Sequence, residues 1–313
     1  MKKLDTFPSP YLCGKNSTAK IMLCVLLALL PSVLTGCLNF GLKAIMLLCV
    51  TTGVAMLSEA FVRIVTRKPQ TVFDFSAAVT GLMLGMTLPP GFPLKWAAAG
   101  AMFAIIIVKQ LFGGIGRNFA NPALTAHMLL MVLFMQDMFT WTTPGGTAVI
   151  GTIDTLPDEN ATLWNLFLGN TAGNIGETCA LGLLLGGLFL CLTQIISPAA
   201  PLAFLFSFSA LTFIGGYEVP SQLLSGSLLL CAIFAASDYS TTPVTKGGKV
   251  IFGLCCGALT YLIRHYGGYA ESAPLSVLIM NLFTPMLDRI CAPEPFGAVR
   301  NIYKNRKKKK RTA

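Results

Sequence analysis

Apolar runs long enough to cross a bilayer as helices, roughly 18 residues or more, recur along the whole chain. They centre on residues 20–37, 41–61, 74–89, 94–112, 122–140, 177–196, 200–216, 221–237, 249–266 and 274–291. That spacing predicts about ten transmembrane helices and excludes a soluble domain held by a single anchor. With 54% hydrophobic and 12% charged residues, the chain has too little polar surface to coat a soluble globule of 313 residues.

Charge sets the orientation. With a cytoplasmic N-terminus and alternating helices, Lys2, Lys3, Lys15, Lys20, Arg63, Arg67, Lys68, Lys109, Arg117, Lys246, Lys249 and Arg289 fall inside. Only Lys43, Lys95 and Arg264 fall outside. This asymmetry follows the positive-inside rule and predicts both termini on the cytoplasmic side. The basic tail 304-KNRKKKKR-311 supplies much of the net charge of +10. Following a membrane span, it pairs with anionic lipid headgroups and gives no argument for nucleic acid.

The predicted organisation is a cytoplasmic leader (1–19), a first five-helix unit (20–141), an external loop (142–176), a second five-helix unit (177–292) and a basic tail (293–313). Two units of odd helix number must run in opposite senses. Their punctuation is similar: 88-LPPGFP-93, an apolar run and 113-GGIGRNFANP-122 in the first, 239-YSTTPVTKGG-248, an apolar run and 267-GGYAESAP-274 in the second. Inverted repeats with helices broken by Pro and Gly recur in membrane transport proteins.

Few groups offer chemistry. Asp238 follows an apolar run and precedes a proline-broken turn, where freed carbonyls help a carboxylate hold a cation or a proton, so it is the candidate for an ion path. Glu59 and Glu177 read as interfacial carboxylates at span ends, and Asp74 as a charge suited to a first helical turn. His127 and His265 have no neighbouring ligands in sequence, and the ten Cys residues show no metal-binding spacing, so no metal site is predicted. No Ser/His/Asp or Cys/His arrangement supports nucleophilic catalysis. The loop 142-TTPGGTAVIGTIDTLPDEN-160 is conspicuous as a polar, threonine-rich insert.

Five strings carry a family resemblance: 8-PSPYLCGKNSTAKIMLCVLLALLPSV-33, 78-AVTGLMLGMTLPPGFPLKW-96, 108-VKQLFGGIGRNFANPALTAH-127, 166-LFLGNTAGNIGETCALGLLLGG-187 and 234-FAASDYSTTPVTKGGKVIFG-253. Together they resemble the D-type membrane component of the Rnf electron-transport complex, related to the B-type component of the sodium-pumping NADH:quinone reductase. The resemblance implies an all-α polytopic protein of ten helices in two inverted five-helix repeats, similar to the urea channel, in the bacterial inner membrane. It implies a component of a ferredoxin:NAD oxidoreductase coupled to sodium or proton movement, packed against the other Rnf-type subunits, one of them a neighbouring flavin-bearing subunit. It implies FMN joined to a threonine by a phosphoester bond on the outer side, with room for a second, noncovalent flavin, and a functional carboxylate at Asp238.

The family's Ser-Gly-Ala-Thr is absent before LFLGN. Thr152, preceded by Gly151, is the first choice of acceptor, Thr155 the second and Thr147 the third. A solute channel or transporter on the same scaffold, or a scaffold subunit without flavin, are the alternative readings.

Overall fold

The computed structural model describes residues 17–144, 146, 148–150, 163–269 and 271–292. Thr147, Thr152 and Thr155, the basic tail and all but the end of the leader lie outside the described residues.

Helix α1 (Thr18–Phe40) begins where the Ser17 side chain accepts a hydrogen bond from the Lys20 amide. Its 23 residues rise about 35 Å. It stops at Gly41, whose φ of +67° disfavours a side chain, and this single residue turns the chain into α2 (Leu42–Val65). These two helices and α12 (Lys246–Gly267) are long and apolar enough to cross a membrane. The outer surface of the bundle is apolar, with Leu38 82% and Ile214 78% exposed. Such a surface is stable only against lipid, so the protein is a membrane protein.

Several other elements are too short to cross. Helix α3 (Ser76–Met86) has 11 residues, about 16 Å, half the hydrocarbon thickness. Helix α4 (Leu94–Phe103) passes directly into a π-helix, Ala104–Gln110. Then come α5 (Pro122–Leu133), α6 (Met135–Met138), a hairpin of β1 (Thr140–Thr142) and β2 (Ala148–Ile150), and α7 (Leu163–Leu168). Helices α8 (Ala180–Leu192), α9 (Ala199–Ile214) and α10 (Val219–Leu224) lead to α11 (Leu228–Leu230), which runs into a second π-helix, Cys231–Ala235. Helices α12 and α13 (Ser272–Ile290) close the bundle.

One expectation needs correction. The segment 221–237 is not one continuous helix: it breaks at Ser225–Ser227 and restarts, so its hydropathy concealed a discontinuity. The described residues are predominantly helical, as expected, with one short hairpin. In the hairpin Thr140 pairs with Ile150, Trp141 with Val149 and Thr142 with Ala148, antiparallel. β-branched and aromatic residues on both sides of a turn explain it, and the Gly146 amide closes that turn on the Thr143 carbonyl at 2.8 Å.

Glycine pairs four residues apart set the packing. Gly81 and Gly85 of α3 press on Thr51 and Leu48 of α2, Gly182 and Gly186 of α8 on Ser32 and Ala28 of α1, and Gly253 and Gly257 of α12 on Ala200 and Phe204 of α9. A Cβ at any of these six would overlap the facing helix. Close backbone approach of this kind replaces the hydrophobic effect as the cohesive force between helices in lipid.

The segment before α8 is threaded into the bundle. The Ile175 and Gly176 amides donate to the carbonyls of Leu88 and Met86 at 3.2 and 2.9 Å, at and just beyond the end of α3. The Ser32 hydroxyl donates to the Gly176 carbonyl at 2.7 Å, and Asn39 Nδ2 to that of Gly169 at 2.8 Å.

Candidate functional site

Three polar clusters sit where helices are broken or begin inside the bundle. The first joins α2 to the π-turn after α4. Lys109 Nζ lies 3.0 Å from Glu59 Oε2 and donates to Ser76 Oγ at 2.7 Å. Glu59 Oε1 accepts from Gln110 Nε2 at 2.8 Å and Thr71 Oγ1 at 2.9 Å. Glu59 and Lys109 are buried, so neither is the interfacial charge that the sequence implied. One carboxylate faces one ammonium, and both carboxylate oxygens have donors.

The second cluster is built on Asp238, in the turn that follows the π-helix Cys231–Ala235. Its Oδ1 accepts from the Ser240 amide at 3.2 Å. Its Oδ2 accepts from Ser240 Oγ at 2.9 Å, Thr241 Oγ1 at 3.4 Å and Asn121 Nδ2 at 3.4 Å. Asn121 also caps α5, its Oδ1 accepting from the amides of Ala123 and Leu124. The carbonyl of Ala236, freed as the helix ends, is taken by Thr242 Oγ1 at 3.0 Å. Among the described residues, the donors that ring Asp238 are thus all neutral.

Asp238, Asn121, Lys109 and Ser76 line one cavity of about 100 Å³, walled by Met83 of α3 and Phe234 of the second π-helix. The cavity joins elements from both halves of the chain. Its lining is mostly apolar, with one carboxylate, Asp238, and one ammonium, Lys109, so its size and polar groups suit water.

The third cluster lies further along α5. His127, six residues and about 9 Å of helix rise beyond Asn121, places Nε2 3.3 Å from Glu271 Oε2. Asn174 Nδ2 donates to Glu177 Oε2 at 2.8 Å and also to Glu271 Oε1. Arg264 is buried nearby, over the Phe208 ring, donating to the carbonyls of Gln222 and Ser225. Glu177, expected at an interface, is buried here instead. Glu271, Arg264 and Asn174 were not legible as site residues. The available signal was that Lys109 and Arg264 each shortly precede a Gly-Gly pair, Gly113–Gly114 and Gly267–Gly268.

Of the other candidates, Asp74 sits in a 3₁₀ turn ahead of α3, and His265 stacks on Tyr217 at 4.0 Å. The described residues contain no group of three His, Cys, Asp or Glu side chains arranged for a metal ion. The candidate flavin acceptors Thr152, Thr155 and Thr147 lie outside the described residues. Beside that segment, Trp141 is buried with an indole N–H that has no acceptor among the described residues, and Thr142 Oγ1 is likewise unpartnered. Trp164, 64% exposed, stacks on Phe167.

The profile of the NQR2, RnfD, RnfE family matches residues 6–297. Three relatives are each named as the D component of an oxidoreductase complex. That of the Na⁺-translocating ferredoxin:NAD⁺ oxidoreductase complex of Acetobacterium woodii is 38% identical, covering 95% of this chain and 96% of the relative. That of the proton-translocating ferredoxin:NAD⁺ oxidoreductase complex of Clostridium ljungdahlii is 36% identical, over 93% and 96%. That of the ion-translocating oxidoreductase complex of Stutzerimonas stutzeri is 35% identical, over 90% and 93%. With near-complete coverage in both directions, the chain belongs to the NQR2, RnfD, RnfE family.

Proposed function

We propose that this chain is the D-type membrane component of an ion-translocating ferredoxin:NAD⁺ oxidoreductase complex, carrying FMN on a threonine of the polar segment 142–160. The observation that carries the reading is the end-to-end match to relatives named as that component. Thr152 is the proposed acceptor, with Thr155 and Thr147 as alternatives. Bound there, FMN would supply one- and two-electron transfer, while the protein supplies position and electrostatics. Trp141 and Trp164 would orient the ring, and Asp238 with Asn121 would form part of the ion path.

The proposed architecture is ten helices in two inverted five-helix repeats, in the bacterial inner membrane with both termini cytoplasmic. Each half carries an apolar stretch interrupted by a π-turn and a buried cation shortly before a Gly-Gly pair, which supports the two-repeat plan. The partners are the other subunits of the complex, among them a flavin-bearing neighbour, and membrane lipids. Two of the relatives are named for different ions, so kinship leaves the coupling ion open.

The test is flavin fluorescence in a denaturing gel after coexpression with a competent flavin transferase. The signal should survive denaturation and vanish in Thr152→Ala. Loss in Thr155→Ala or Thr147→Ala instead would move the site. No covalent flavin in the wild-type chain would overturn the flavin reading and favour a solute channel or a flavin-free scaffold.

A further inference from the structure

We propose that Glu271 holds an exchangeable proton on Oε2 and donates it to Nε2 of His127, making the third cluster a proton-binding site in the bundle interior. The inference rests on the geometry of this cluster and stands apart from the flavin reading.

The cluster has unused acceptors. Among the described residues, Glu177 Oε1, Glu271 Oε2, Asn174 Oδ1 and both ring nitrogens of His127 have no hydrogen-bond partner. All four residues are at most 4% exposed, so bulk water does not serve them. An unsatisfied buried polar group costs about 1–3 kcal/mol and a charged one more, so this cluster is unfavourable with every acid ionised.

Charge indicates its sign. Among the described residues, Glu177 and Glu271 face a single guanidinium, that of Arg264, which donates to carbonyl and amide oxygens of Gln222 and Ser225 and to no carboxylate. Its field still reaches both acids. Among the described residues, the other titratable group facing them besides the His127 imidazole is the thiol of Cys231, which brings no positive charge. Two carboxylates and one cation leave one negative charge over in a low-dielectric interior, where two close carboxylates do not both ionise.

One proton removes the excess charge and pairs two of the unpartnered atoms. On Glu271 Oε2 it cancels the excess charge, and across the 3.3 Å gap it gives His127 Nε2 a donor. Asn174 Nδ2 meanwhile spans the two acids, holding their carboxyl groups close together. A metal ion would need more ligands than converge here among the described residues. The Glu59–Lys109 cluster supplies the contrast: its charges match, its carboxylate oxygens all have donors, and it calls for no proton.

The test is infrared difference spectroscopy of the full-length protein in lipid nanodiscs during pH titration, with and without sodium. Wild type should show one carboxylic-acid carbonyl band that titrates and shifts in heavy water. Glu271→Gln, which keeps shape and a donor without the acid, should lose it, and Glu59→Gln should keep it. His127→Asn should move its midpoint. Absence of a titrating band in folded wild type would overturn the proposal, as would a band that survives in Glu271→Gln. Saturable removal of the band by sodium at fixed pH would replace the proton with an alkali cation.

Discussion

Lys109 Nζ and Glu59 Oε2 form a 3.0 Å ion pair between side chains 2% and 0% exposed. Removing one member leaves the other charged and buried, and Lys109→Met or Glu59→Leu alone should cost about 3–5 kcal/mol. The double substitution should recover most of that loss, because no orphan charge remains. Thermal unfolding of the four proteins in detergent, analysed as a double-mutant cycle, measures the coupling.

Asn121 does two jobs with two atoms, capping α5 with Oδ1 and donating to Asp238 with Nδ2. Asn121→Asp should keep the cap, within about 0.5 kcal/mol of wild type, while setting two carboxylates against each other. Ion transport by the reconstituted complex should fall at least tenfold, with flavin content unchanged. Asn121→Ala should lose the cap as well, at about 1 kcal/mol.

Asp238→Asn should abolish ion movement and preserve the fold, because the amide oxygen can still accept from the Ser240 amide while the Ser240 hydroxyl turns to accept from the new N–H. The measurement is ion uptake into proteoliposomes beside electron-transfer rate. Intact uptake would remove Asp238 from the path.

Gly257 faces the Phe204 carbonyl and the Phe208 amide of α9 across a contact with no space for a side chain. Gly257→Leu should force the helices apart and destabilise by about 1–3 kcal/mol or more. Gly247, with open space around it on the same helix, should accept Ala with a change of about 0.5 kcal/mol or less. Melting temperatures of the two variants compare them directly.

Hydropathy located the helical segments well, because lipid allows little else over such lengths. It could not find the break at Ser225–Ser227, since the apolar residues on either side score alike whether helix or turn holds them. Asp238 was legible because a carboxylate beside an apolar run and a proline turn is costly in any membrane context. Glu271 and Arg264 were not, since both stand at the ends of apolar runs, where headgroup exposure is the ordinary explanation. Only the threading of the segment before α8 into the bundle brings Asn174, Glu177, His127 and Glu271 together, and contacts separated by 97 positions leave no trace in local pattern. The pairing of Lys109 with Glu59 was hidden for the same reason.

The two amide bonds from Ile175 and Gly176 to Leu88 and Met86 make the stretch after the hairpin a lever with its fulcrum at the half-length helix. A pull or a charge arriving on that stretch bears on the backbone at the end of α3, whose own cavity-facing residues Ser76 and Met83 stand beside Lys109 and Asp238. A displacement of that segment is thereby felt by a helix that walls the cavity.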